Sequence, residues 1–288
     1  MGIQQKLIQL RWRAAGHGKV LDPALWEPLS GSAGLEIGGP SALFGADGLV
    51  PVYPRMASVD GLQWAADTLW HKLDGERGYQ PDGTVRGELH LIDSIDLTPL
   101  GENSYDVVFS SHVIEHLANP LRALAAWRRV TRPGGHMLIV APHMQGTFDH
   151  RRALTSLEHI VEDFERGVEE DDMTHLEETL RLHDRARDVP MDDAEWAQMR
   201  RENVDTRTLH HHTFTTPSLL ALLDRAGLEL LFAETRFPHD IYALGRWPAD
   251  GQLPDNRAFL AKRRPSPFSS DRERSAPTAI TVRANSGA

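Results

Sequence analysis

Two uninterrupted apolar runs with a helical segment between them constrain the fold of this 288-residue chain most strongly. The runs are residues 107–109 (VVF) and 136–140 (HMLIV). Between them, residues 114–130 carry leucines at helical spacing. Strands that are apolar on both sides are typical of parallel sheets with both faces covered by other elements. The alternation of strand and helix therefore predicts an α/β fold with a Rossmann-like, doubly wound sheet.

In the first part of the chain, short predicted strands are followed by glycine or acidic residues. Residues 34–39 read GLEIGG and precede Pro40, which indicates a strand, a tight turn and a helix start. Extended stretches at residues 48–53 and 89–92 lead toward further acidic residues. Ligands of open α/β sheets bind at the carboxyl ends of the strands. The residues expected to converge there are Gly38, Gly39, Asp60, Asp93 and Ser111.

The turn after the first strand indicates which nucleotide the sheet binds. It reads Gly38-Gly39-Pro40-Ser41-Ala42 and lacks the G-x-G-x-x-G pattern that cradles a pyrophosphate. Glu36 would repel a phosphate but would attract an ammonium group. A carboxylate such as Asp60 can accept hydrogen bonds from a ribose diol. These features favour a nucleoside with a cationic amino-acid part over a dinucleotide.

Four segments in this order resemble a known family. They read LEIGGP at residues 35–40, DSIDL at 93–97, YDVVFSSHVIEHLANP at 105–120 and RVTRPGGHMLIVAPH at 129–143. Together they resemble the type 11 small-molecule class I methyltransferases, and residues 210–228 extend the resemblance. The resemblance implies a mostly parallel seven-stranded sheet. It also implies S-adenosyl-L-methionine as the cofactor and S-adenosyl-L-homocysteine as the product.

The resemblance also implies a set of cofactor-binding residues. Carried over by position, they are Glu36, Gly38, Gly39, Asp60, Asp93, Ser94, Ile95 and Ser111. His112 follows them directly and is expected either to contact the cofactor or acceptor, or to pack. Two features depart from the family: a proline follows Gly39, and the long first helix is missing between Gly39 and Asp60. Both departures weaken the assignment of Asp60 in particular.

The organisation of the chain follows from changes in composition. Residues 145–209 are acidic, carry helical periodicity and show no clear strand, which predicts a helical insertion. A helix at residues 217–226 and strands at 228–233 and 241–244 then resume the sheet. The methyltransferase domain is expected to span residues 1–265, and the unperiodic residues 266–288 are expected to form a disordered tail.

Methyl transfer requires a group that removes the acceptor's proton, and histidine is the natural base near neutral pH. The insertion leaves the sheet at His143 and returns at residues 210–212. His143, His150 and His212 are therefore the candidate bases. Histidines mixed with carboxylates are also the composition of Zn, Fe or Mn sites. Because the histidines from His143 to His212 contain no H-x-x-x-H or H-E-x-x-H pair, no metal ligand is assigned, and a metal requirement stays open.

Charge and composition limit the partners. A net charge of -10 argues against nucleic acid, because nucleic-acid binding depends on cationic side chains. No signal peptide or membrane span is recognisable, so a cytoplasmic protein without a membrane partner is expected. The expected substrate is a small molecule methylated on oxygen or nitrogen, and the chain could act as a homodimer. The alternatives are an NAD-dependent dehydrogenase or epimerase, and a non-catalytic protein that only binds the cofactor.

Overall fold

A seven-stranded mixed sheet forms the centre of the molecule in a computed structural model that describes residues 21–69, 78–84, 86–249 and 253–272. The strand order is β3-β2-β1-β4-β5-β7-β6, and β7 alone runs antiparallel to its neighbours. The strands are β1 (Ala33–Ile37), β2 (Ser58–Gln63), β3 (Leu89–Leu91), β4 (Tyr105–Ser111), β5 (Thr131–Pro142), β6 (Glu229–Arg236) and β7 (Asp240–Arg246). The Rossmann-like sheet expected from the sequence is confirmed.

Seven α-helices are described alongside these strands. They are α1 (Pro120–Val130), α2 (Leu157–Arg166), α3 (Leu176–Leu182), α4 (Asp193–Arg201), α5 (Asn203–Thr206), α6 (Thr216–Arg225) and α7 (Arg257–Ala261). None of these helices has the length and apolar surface that a bilayer-spanning segment requires.

The central strand β4 is buried on both faces, which explains its apolar run. Val108 packs into a core shared with α1 and α6, whereas Val107 and Phe109 face a second core on the opposite side. There the ring of Phe44 meets the ring of Phe109 edge-on, with centroids 5.1 Å apart. Alternation of side chains along the strand places neighbours on opposite faces, so both must be apolar.

The helix expected over residues 114–130 is divided into two pieces. A short 3-10 turn covers Ile114–His116, and α1 begins only at Pro120. The side chain of Asn119 caps α1 by accepting a hydrogen bond from the Arg122 amide at 3.1 Å. Pro120 fits the first helical position because the amide it lacks would have no partner there. This cap fixes the residue at which α1 begins after β4.

The chain after β1 forms less regular structure than the glycine–proline turn predicts. Instead of a helix there is one 3-10 turn at Ala42–Phe44, in which the Ser41 side chain accepts from the Leu43 amide. The strand expected near residues 48–53 is also absent from this described segment, and β2 begins at Ser58. The sheet's second face is therefore covered largely by irregular chain in this region.

The insertion at residues 145–209 contains α2, α3, α4 and α5 and, in this fully described range, no strand. Its two ends meet beside the sheet: His143 forms a parallel bridge with Phe214, and the Met144 amide donates to the Phe214 carbonyl at 2.8 Å. Both ends of the insertion are thus fixed next to the carboxyl end of β5.

The first residues of the expected disordered tail are packed against the domain. Phe268 is 7% exposed, and its ring stacks on His143 with centroids 4.0 Å apart. Asp271 accepts hydrogen bonds from the Thr216 amide at 2.9 Å and from the Ser266 hydroxyl at 2.6 Å. Residues 266–272 pack against the domain through these contacts, which composition alone does not reveal. Residues 273–288 lie outside the described residues.

Asp271→Ala is expected to destabilise the fold by about 1–3 kcal/mol, because it leaves buried donors on Thr216 and His143 without their acceptor. Urea unfolding followed by circular dichroism measures the shift in midpoint. Asp255→Ala is the control, since Asp255 and its partner Arg257 are both largely exposed. Equal midpoints for the wild type and Asp271→Ala would show that this segment adds no stability.

Candidate functional site

A cavity of about 1000 Å³ opens at the carboxyl ends of β1, β2 and β4. Gly38, Gln63 and Ser111 line it from the sheet, where parallel strands present their ends to a ligand. The insertion lines the opposite side with residues from α4 and the loops around it. Among these are Thr147, Phe148, Glu170, Val189, Trp196, Met199 and Arg207. The sheet and the insertion thus enclose one space between them.

The glycine turn after β1 brings backbone directly to this cavity. Gly38 has a φ of +74°, a conformation that favours glycine, and its amide donates to the Leu62 carbonyl at 2.8 Å. A Cβ on Gly38 would lie 2.6 Å from Cγ2 of Val113. Only glycine therefore allows the main chain to pass between β2 and the residues that follow β4.

Glu36 supports this turn from the protein interior and does not face the cavity. Its carboxylate is fully buried and accepts hydrogen bonds from Tyr53 at 2.7 Å, Tyr79 at 2.5 Å and the Ser41 amide at 3.0 Å. Burial raises the pKa of Glu36 to about 7, although these hydrogen bonds oppose the rise. A Cβ on Gly39 would lie 2.1 Å from the Glu36 carboxyl carbon. Neither Glu36 nor Gly39, both expected cofactor ligands, belongs to the described cavity lining.

Asp60 does not reach the cavity either, because it lies in the middle of β2. Its carboxylate accepts from the Tyr105 hydroxyl and from the Glu88 amide, each at 2.8 Å. Gln63 occupies the end of β2 instead and lines the cavity. Its Nε2 donates to the Gly39 carbonyl at 2.7 Å, while Oε1 is buried without a hydrogen-bond partner in the described structure. Gln63, and not Asp60, is thus the residue of β2 that lines the cavity.

The loop after β3 supplies Asp93 and Ser94 to the cavity. Asp93 accepts from the Ile95 amide at 3.1 Å and from Arg207, on the insertion, at 3.0 Å. Ser94 is held in place because its carbonyl accepts from the Trp127 indole at 2.8 Å. The side chain of Ile95, which was expected to bind the cofactor, is 6% exposed, packs in the core and is not part of the described cavity lining.

Ser111 and His112 follow β4 at the centre of the site. His112 adopts a φ of +55°, and its Nε2 donates to Asp240 Oδ1 at 2.9 Å. Its other ring nitrogen lies 3.9 Å from Glu115 Oε1. Burial alone would lower the pKa of His112. The hydrogen bond to Asp240 and the negative charges of Glu115 and Asp240 outweigh burial and raise it above the ordinary 6.5.

The three histidines expected to act as bases lie outside the described lining of the cavity. His143 is fully buried, with Nε2 3.1 Å from Asp271. His150 hydrogen-bonds Asp184 at 2.8 Å. His212 donates to a backbone carbonyl at 3.2 Å, and burial lowers its pKa well below 6.5. Proximity in sequence to the ends of the insertion did not determine which way these rings point.

A different set of histidines lines the cavity, namely His112, His116, His210 and His239. His210 pairs with Asp149 at 2.6 Å, and Arg152 holds Asp149 from its other oxygen at 3.2 Å. Glu115 is 1% exposed, and neither of its oxygens has a hydrogen-bond partner among the described residues. The segment HVIEH after β4 contains His112, Glu115 and His116, but its spacing alone did not show that they line the cavity.

The sequence of residues 74–139 matches a family described as a methyltransferase domain. The matched range contains β3, β4 and α1 and reaches into β5, so it includes Asp93, Ser111 and His112 at the cavity. It lies within a seven-stranded sheet of the kind that the family resemblance implies. Over this range the chain is similar to methyltransferase domains, as the resemblance in its sequence implies. The dinucleotide alternative lacks both a family match and a pyrophosphate turn.

Solved structures of methyltransferases resemble the enzyme only distantly. N-methyltransferase NodS from Bradyrhizobium japonicum WM9 is 12% identical, with 83% of this chain and 97% of that chain covered and a TM-score of 0.44. The 1,6-didemethyltoxoflavin-N1-methyltransferase of Burkholderia thailandensis is 14% identical, with 84% and 87% covered and a TM-score of 0.44. A methyltransferase from Aquifex aeolicus is 14% identical, with 78% and 92% covered and a TM-score of 0.40. No curated protein matches the sequence significantly.

Proposed function

We propose that the enzyme transfers the cofactor's methyl group to an oxygen or nitrogen atom of a small molecule bound beneath the insertion. The hydrogen-bonded pair of His112 and Asp240 carries this proposal, because it places a basic ring nitrogen on the cavity between the strand ends and the insertion. Oxygen and nitrogen acceptors lose a proton on methylation, so they need such a base.

The sheet side of the cavity fits the cofactor. Gln63 Oε1 is a buried acceptor without a donor, and a ribose hydroxyl would supply the missing hydrogen bond. The turn at Gly38 leaves the backbone open to a ligand because no side chain stands there. Asp93 and Ser94 follow β3 at a third point of the same edge. We assign cofactor binding to these residues together with Ser111.

When bound, S-adenosylmethionine supplies a methyl carbon attached to a positively charged sulfur, which keeps the electron pair of the broken bond. His112 uses Nε2 to donate to Asp240, so its Nδ1 is the atom that takes the acceptor's proton. The imidazolium formed is stabilised by the carboxylates of Asp240 and Glu115. The insertion excludes water from the cavity and orients the acceptor, which is the main requirement of an in-line displacement.

The insertion side of the cavity indicates a small acceptor with an apolar part. Val189, Met191, Trp196 and Met199 contribute apolar surface there, and Arg187, Arg200 and Arg207 contribute positive charge. A pocket of this size, mostly apolar with a few polar groups, is typical of small-molecule sites. A macromolecular acceptor would have to reach the strand ends past the insertion.

Cofactor carrying a deuterated methyl group tests this proposal. Incubated with a cell extract separated into metabolites, protein and nucleic acid, the enzyme is expected to label one small molecule on oxygen or nitrogen. Mass spectrometry and NMR locate the label, and His112→Gln serves as the matched variant that should not produce it. Label recovered in protein or nucleic acid, or on a carbon atom, would overturn the proposed acceptor class.

A further inference from the structure

Two histidines of the insertion and one from the chain that follows it form a cluster away from the described cavity lining. His159 comes from α2, His175 immediately precedes α3, and His212 lies where the chain returns to the sheet. Each offers a ring nitrogen, and these three atoms all lie within 4.8 Å of one another. We propose that these histidines bind one divalent transition-metal ion of the zinc type.

The spacing of the donor atoms suits a shared ion. His159 Nε2 lies 3.0 Å from His175 Nε2 and 3.2 Å from Asp163 Oδ2. Zinc–nitrogen bonds of about 2.0–2.1 Å in a tetrahedron place neighbouring donors roughly 3.3 Å apart. Asp163 is four residues after His159 on α2, so both side chains leave the same face of the helix. Asp163 therefore adds a carboxylate oxygen beside His159, and a water molecule could complete the coordination of the ion.

His212 gives the observation that points most directly to a ligand. The residue is 1% exposed, and its Nε2 donates to the Ala118 carbonyl at 3.2 Å. This bond fixes the tautomer and leaves a lone pair on Nδ1, which is buried without a hydrogen-bond partner in the described part of the chain. A backbone carbonyl on the outer nitrogen of a buried histidine is the usual support of a metal ligand.

The chemistry of the cluster selects the ion. Imidazole nitrogens suit zinc and its neighbours in the transition series, whereas calcium and magnesium prefer oxygen ligands. The side chain of His159 is 32% exposed, so an ion can enter from solvent. Glu178 lies 3.8 Å from Nδ1 of His175 and can orient that ring from behind.

An ion at this place would connect two parts of the insertion to the chain that returns to the sheet. His212 is two residues from His210, which lines the cavity, and its amide donates to the Glu115 carbonyl at 3.2 Å. Fixing His212 therefore fixes the backbone that closes the acceptor side. The ion is assigned a structural role, and its binding is independent of the identity of the methyl acceptor.

Calorimetric titration of the chelator-treated full-length enzyme with zinc chloride tests the site. One equivalent is expected to bind, and cobalt chloride is expected to give visible absorption typical of a tetrahedral nitrogen and oxygen environment. Zinc should also raise the melting temperature because it binds only the folded state. Magnesium chloride should produce none of these effects.

Two variants with exposed or half-buried side chains locate the ion. His159→Gln and His175→Gln are expected to weaken zinc binding about 100-fold or more, whereas His150→Gln, whose ring pairs with Asp184, should bind like the wild type. Absence of zinc binding by the wild type would overturn the proposal. So would unchanged binding in both cluster variants, which would place any ion elsewhere, for example at Glu115, His116 and His210.

Discussion

Gly38→Val is expected to abolish measurable binding of S-adenosylhomocysteine, which the wild-type enzyme should bind with roughly micromolar affinity, near -8 kcal/mol. The φ of +74° at Gly38 is unfavourable for a β-branched residue. The new Cβ would also lie 2.6 Å from Val113, so the turn must shift. Any such shift moves the backbone that lines the cavity. Isothermal titration measures the loss, and circular dichroism shows whether the variant is folded.

Gly31→Val provides a matched control for backbone strain. Gly31 has a φ of +76°, similar to that of Gly38, but nothing lies within 4 Å of its ideal Cβ position. It precedes β1, at the opposite end of that strand from the cavity. Strain alone should cost both variants similar stability, of the order of 1–3 kcal/mol. Wild-type affinity in Gly38→Val, or an equal loss in Gly31→Val, would contradict the placement of the cofactor at this turn.

His112→Gln is expected to lower turnover about 10²-fold or more, the usual effect of losing a general base, while the affinity for S-adenosylhomocysteine changes little. Glutamine can still donate to Asp240 but cannot take a proton. The rate measurement uses the acceptor found by methyl labelling. His150→Gln is the control, because that ring pairs with Asp184 outside the described lining of the cavity.

Turnover is also expected to depend on pH, and the same two variants test this dependence. Asp240, Glu115 and His239 face His112, and the two carboxylates hold its pKa above 6.5 despite burial and the neighbouring imidazole. A base works in its deprotonated form, so turnover should rise as the pH increases through the pKa of His112. This acid limb should disappear in His112→Gln. Unchanged turnover in that variant would place the base elsewhere.

The sheet could be predicted because its signals are local. The apolar runs of β4 and β5 need burial on both faces, and a strand's end is the point where such a run stops. Gly38, Asp93, Ser94, Ser111 and His112 were expected at the cavity, and the structure places all five there. Each lies at the end of a strand or within a few residues after it, where the sequence marks that end.

Asp60 was misplaced because the end of β2 is not marked by a change in composition. The strand reads SVDGLQ, and the acidic residue in its middle looked like a terminal one. Gln63, three residues further along β2, lines the cavity, whereas Asp60 accepts a hydrogen bond from Tyr105. Strand boundaries depend on pairing with neighbours, and pairing is not visible in one strand's sequence.

The sequence could not predict that His159, His175 and His212 lie together, and the reason is a different one. His159 and His175 are separated by 16 residues, and His212 lies much further along the chain. Whether such residues meet depends on how α2 and the following loop pack, which no short motif encodes. His143 shows the reverse effect: it follows a strand ending at the cavity, but Asp271 and Phe268 hold its ring away from the ligand.

A crystal structure of the enzyme with S-adenosylhomocysteine tests the central claim most directly, namely that the cavity at the strand ends is the site of methyl transfer. We expect the product to contact the backbone at Gly38, the amide oxygen of Gln63 and the loop at Asp93, with its sulfur on the side of His112. Product bound outside this cavity, or against Asp60 with Gln63 untouched, would contradict the account.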